Sequence, residues 1–74
     1  DSIALFPNPT SDHFSVNADT ASVEIYSITG QLVKSFTSQQ NGFKYDTSEL
    51  SRGIYMVKVT DASQRTKTIK LVKQ

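Results

Sequence analysis

The sequence predicts an all-β fold, an immunoglobulin-like sandwich of about seven short antiparallel strands in two sheets. Three observations carry this prediction. Apolar and polar residues alternate with a period of two in short runs from end to end, as in VEIYSI and YMVKV. Nowhere do apolar residues recur at helical spacing over a stretch of about ten residues. Turn-forming residues punctuate the runs at short intervals. A chain of 74 residues and 8.2 kDa holds one domain, residues 1–74, and buries only about 60% of its unfolded surface, so its core is thin. Two small sheets face to face close such a core with the fewest residues. The disulfide and core tryptophan of true immunoglobulin domains are missing, since the chain has no Cys and no Trp.

The elements follow in order. Alternation places strands at 3–6 (IALF), 12–17 (DHFSVN), 22–28 (SVEIYSI), 31–38 (QLVKSFTS), 43–46, 53–60 (GIYMVKVT) and 65–73 (RTKTIKLVK). In the third, Val23 and Ile25 share one face and Glu24 and Tyr26 the other. In the sixth, Tyr55, Val57 and Val59 oppose Ile54, Met56 and Lys58. In the last, Ile69 and Leu71 share a face bounded by Lys67 and Lys73, whose long stems can carry their charges outward; Lys70 and Val72 face the other way. Thr29-Gly30 and Asn41-Gly42 carry the chemistry of tight turns, and both are expected to join antiparallel neighbours. Asp46, Glu49 and Gly53 are spaced as an N-cap, its capping partner and a left-handed stop, which predicts one helical turn with Leu50 tucked inward.

Composition narrows the function. With 36% hydrophobic residues and three glycines, the chain is neither collagenous nor disordered, and no apolar run approaches the roughly 18 residues that span a bilayer. The opening DSIALF lacks the basic and apolar regions of a signal peptide, so export would be directed by another part of a longer chain. His13 is the one histidine, and alternation sets Asp12 on the opposite face from His13 and Ser15, which is no way to build a triad. With no glycine-rich loop and no carboxylate cluster at ligand spacing, neither a metal nor a cofactor site is expected. The sequence therefore reads as non-enzymatic. Asn8-Pro9-Thr10 has the outline of a glycosylation sequon, but proline in the middle excludes it.

Charge is uneven. Residues 1–33 hold Asp1, Asp12, Asp19 and Glu24 and no Lys or Arg, whereas eight basic and three acidic residues follow from Lys34 onward. Arg65, Lys67, Lys70 and Lys73 lie in a terminal stretch with no carboxylate. Such a tail suits phosphates, but it has no aromatic residue to stack on bases and the whole chain is only +1. An edge strand guarded by lysine is the better reading, with no nucleic acid as partner.

Taken in order, the segments LFPNPTSDHFSV, VEIYSITGQLV, DTSELSRGIYMVKV and KTIKLVKQ resemble a known family. It is the type A C-terminal sorting domain of proteins exported by the type IX secretion system (Por secretion system) of Gram-negative bacteria. The resemblance covers essentially the whole chain. It implies a secretion signal rather than an enzyme: cargo passes through the periplasm, is recognised by an outer-membrane shuttle protein, crosses the translocon and reaches the cell surface or medium. A sortase-like peptidase usually removes the domain and anchors the cargo. Residue by residue, the family's motifs fall on Pro7, Asn8 and Pro9, on Gly30, Gln31 and Val33, and on Leu50, Gly53, Tyr55 and Val57. The recognition signal falls on Lys70, Leu71, Val72, Lys73 and Gln74.

Physically, Pro7 and Pro9 each lack an N–H and end the first strand, while Asn8, preceding proline, is driven toward extended geometry. This predicts a stiff entry that presents the preceding chain to the peptidase, or simply a kink. The shuttle is expected to dock through an exposed strand edge and the basic tail, by strand addition. Edges in so small a sandwich also invite a homodimer. The alternative function is an immunoglobulin-like adhesion or carbohydrate-binding module, which predicts aromatic residues gathered on one exposed face; Tyr26, Tyr45 and Tyr55 fall on three strands.

Overall fold

The computed structural model describes residues 3–74, so the first two residues of the expected 1–74 domain lie outside the described part. The strands are β1 (Leu5–Phe6), β2 (His13–Val16), β3 (Thr20–Ser27), β4 (Leu32–Phe36), β5 (Tyr45–Asp46), β6 (Gly53–Asp61) and β7 (Thr66–Lys73). They form a three-stranded sheet of order β1-β2-β5 and a four-stranded sheet of order β4-β3-β6-β7, with every strand pair antiparallel. The predicted sandwich of seven antiparallel strands is thus present.

Alternation builds the core. Leu5, Phe14, Val16 and Tyr45 of the small sheet meet Val23, Ile25, Val57, Val59 and Leu71 of the large one, all buried. Each such aliphatic or aromatic side chain contributes about 1.5–3 kcal/mol on burial. Tyr45 is the hub. Its ring stacks on Phe14 at 5.2 Å and meets the edges of Phe36 and Phe43 at 5.0 and 4.9 Å. Its hydroxyl lies 2.8 Å from Thr20 Oγ1, which gives a buried phenol the partner it requires. Burial pushes its pKa up.

Two turn expectations part ways. At Thr29-Gly30, Ser27 N donates to Gln31 O and Gly30 N to Ser27 O, both at 2.9 Å, with Gly30 at φ +89°. This is a tight hairpin between β3 and β4 whose left-handed residue favours glycine. Asn41-Gly42 instead sits in a turn closed by Phe43 N on Gln40 O. That turn carries the chain from β4 of the large sheet to β5 of the small one, whose partner is β2. A turn signature reports local backbone only, and the next strand's apolar face drew it across the sandwich.

The helical turn expected after Asp46 is a β-turn. Asp46 Oδ1 accepts from Ser48 N at 2.9 Å, as an N-cap would, but Leu50 N then bonds Thr47 O and no helix follows. Gly53, at φ +152°, opens β6 rather than stopping a helix. Leu50 does pack against the core.

Candidate functional site

The site begins where the two ends of the described chain meet. β7 is an edge strand, and beside its last residues runs the segment after β1. Asn8 Nδ2 donates to Lys70 O at 2.8 Å, and Val72 N donates to Asn8 Oδ1 at 3.1 Å. The side-chain amide thereby imitates the peptide group of a neighbouring strand. Backbone takes over at Thr10, whose N–H donates to Val72 O and whose carbonyl accepts from Gln74 N, both at 2.8 Å. Thr10 and Lys73 form a parallel bridge. Thr10 itself is buried, with its hydroxyl donating to His13 O.

The two prolines now have their place. The Phe6 to Pro7 and Asn8 to Pro9 bonds are both cis, and neither proline offers an N–H that would compete for β7. Asn8 supplies its contacts by side chain. Hence the proline motif and the terminal segment 70–74, read apart in the sequence, form one structure. Strand addition at this segment meets an obstacle: the outward backbone groups of Lys70, Val72 and Gln74 are already bonded to Asn8 and Thr10. The exposed edge expected there is covered.

The terminal residues divide by parity. Leu71 is fully buried and Lys73 nearly so. The Lys73 stem does line the core rim, as alternation predicted, but its ammonium ends on Leu50 O at 3.1 Å instead of running outward. Lys70 and Gln74 are exposed and Val72 half-buried. The basic tail is correspondingly dispersed. Arg65 is paired with Asp61 at 3.0 Å, leaving Lys67 and Lys70 as the exposed lysines of β7. Asp61 is held below the usual carboxylate value, first by the Arg65 backbone N–H, which its Oδ1 accepts at 2.9 Å.

The other motif residues lie in the core, beside it or in the hairpin loop. Val57 is buried in the core, and Tyr55 and Leu50 pack against it, with the Tyr55 hydroxyl donating to Ser51 O at 2.7 Å. Gly30 and Gln31 form the hairpin loop. Val33 is the extra residue of a bulge, because Ile25 pairs with Lys34 while Tyr26 pairs with Leu32. Register sets this loop at the same end of the large sheet as the Gly53–Lys73 pair.

Sequence reasoning missed two residues that close off strand edges. Thr10 stood outside the expected site, and its only signal was a β-branched residue after the prolines. Lys34, at the opposite edge strand, reaches across to Asp46 O at 2.9 Å and Glu49 at 3.0 Å, an inward-leaning lysine that guards an edge. The rival carbohydrate-binding arrangement is not built: Tyr45 is buried, and Tyr26 lies on the far face of the large sheet with its hydroxyl on Glu24 at 3.0 Å. Among the described residues, no group of three or more His, Asp or Glu side chains comes together to hold a metal ion.

Fold and site together define a class: a small β-sandwich whose distinctive feature is a terminal strand clamped by a proline motif. The family model described as secretion system C-terminal sorting domain matches residues 4–74, and the chain belongs to that family. It is a type IX secretion C-terminal sorting signal, recognised by the secretion machinery for export across the outer membrane to the cell surface or medium. A signal domain of this kind is not itself catalytic. No curated protein is similar enough to add a relative.

Proposed function

We propose that residues 1–74 are the export label of a longer cargo protein, folded in the periplasm and read there by an outer-membrane shuttle that delivers it to the translocon. A sortase-like peptidase then removes the label and anchors the cargo at the surface. The observation that supports this reading is the clamp: Asn8 and Thr10 hold the terminal strand, so that one place presents both the entry of the chain and residues 70–74. In this reading the clamp fixes where the preceding chain leaves the domain, within reach of the peptidase.

The experiment fuses residues 1–74 behind a periplasmic fluorescent protein in a bacterium with a type IX system. Display of the reporter at the surface or in the medium, lost in a strain without the translocon, upholds the export reading. Periplasmic retention in the competent strain refutes it. Pro7→Ala/Pro9→Ala tests the peptidase step separately: slower cleavage of an exported, equally stable fusion is expected, and unchanged cleavage overturns that part.

A further inference from the structure

One face of the large sheet covers the core, and register dictates what the other face carries. Leu32, Tyr26, Met56 and Lys70 form one row across all four strands. The next row toward the Gly30 end sets Ile54 beside Val72, with Ile28 at the hairpin loop just beyond. The row on the opposite side is Ser35, Glu24, Lys58 and Thr68. The outer face therefore has a polar half and an apolar half. Ile28, Leu32 and Ile54 are 72%, 49% and 48% exposed.

A solvated sheet face is ordinarily polar where the buried face is apolar. The Ser35 row obeys this rule and the Leu32 and Ile54 rows break it. Grouped exposed hydrophobics, unlike scattered ones, mark a contact surface.

We propose that this apolar half-face, Leu32, Tyr26, Met56, Ile54 and Val72 around Lys70, is where the domain docks on the protein that reads it. The partner it fits is an apolar protein surface bordered by carboxylates. The proposal rests on the export reading and names the surface that reading uses. Its charge decides the partner's chemistry. Lys70 stands within the apolar rows and Lys58 in the adjoining one. Glu24, the carboxylate beside them, already accepts the Tyr26 hydroxyl. Covering Lys70 without an opposing carboxylate would strand a desolvated cation.

The clamp directs recognition to the same place. With the β7 edge covered at residues 70–74, a partner gains little from backbone pairing there and must read side chains. Those facing outward are Lys70, Val72 and Gln74, while Leu71 and Lys73 face the core. The terminal signal is thus read at alternate residues, together with β6 and β3 beside it.

The test uses the full chain fused to the fluorescent reporter in a secretion-competent bacterium. Compared with the unaltered chain are Leu32→Ser/Ile54→Ser, Lys70→Glu, Lys70→Arg and, on the polar half, Ser35→Asn/Thr68→Asn. At least tenfold less exported reporter is expected for the double serine variant and for Lys70→Glu, with Lys70→Arg and the polar-half variant near the unaltered level. Thermal unfolding of the purified chains checks folding; Ile28→Ser, in the exposed loop, replaces any variant that unfolds and is expected to lose export likewise. Full export of a folded apolar-half variant overturns the docking surface while leaving the export reading intact. Equal loss from the polar-half variant overturns it too. Failure of the unaltered chain to leave the periplasm refutes the export reading itself.

Discussion

The exposed Asn8 side chain joins the segment after β1 to the terminal strand, because one amide satisfies a carbonyl and an N–H of β7. Asn8→Ala is expected to cost about 1–2 kcal/mol and to speed hydrogen exchange at the Val72 amide. Asn8→Asp retains the acceptor but turns an oxygen against Lys70 O, so it should be no better than alanine; equal stability of all three chains would show that the clamp is idle. Thr47 poses the opposite case. Its hydroxyl is buried with no hydrogen-bond partner among the described residues, and an unpaired buried polar group is a burden. Thr47→Val should raise stability by about 1 kcal/mol, seen as a higher midpoint in thermal unfolding. Gly30→Ala meets no atom within 4 Å, so its expected loss of about 1 kcal/mol comes from the left-handed backbone alone.

Among the elements, β7 carries two duties on its two faces. Leu71 fills the core and Lys73 ties down the Leu50 carbonyl, while Lys70 and Val72 face out. Removing residues 71–74 should therefore destabilise the sandwich by several kcal/mol, as loss of a buried leucine alone costs about 2–5 kcal/mol. Export lost through that truncation would conflate unfolding with lost recognition, and circular dichroism of the purified truncated chain would expose the unfolding. Removing Gln74 alone breaks only the bond to Thr10 O and should leave the thermal midpoint within a few degrees. The hairpin of β3 and β4 was legible because its turn chemistry and its partners are contiguous. The β4 to β5 connection was not, because Asn41-Gly42 makes the same local turn whether the chain pairs back or crosses over.

At the scale of the whole molecule, acid is expected to loosen the sandwich through aspartates that the fold holds ionised. Asp61 and Asp46 both lie below the ordinary value of 3.8, the first chiefly through the Arg65 N–H and the second through the Ser48 N–H. A folded pKa below the unfolded one means their stabilisation is complete above the unfolded pKa and disappears as pH falls through the folded value. The thermal midpoint should accordingly be flat near neutrality and drop below about pH 4, with a shallower drop in Asp61→Asn. The sequence by itself determined the all-β class, the faces of β3, β6 and β7, the Gly30 hairpin and the motif order that marks the family, because alternation and turn chemistry are properties of neighbours along the chain. Only the tertiary structure decided which strands share a sheet, that Tyr45 is the aromatic hub, and that Asn8 grips residues 62 and 64 positions away. Hydrogen bonds across such a separation leave no periodic trace in the sequence; they exist because closing the sandwich brings a proline-framed amide against the edge of β7.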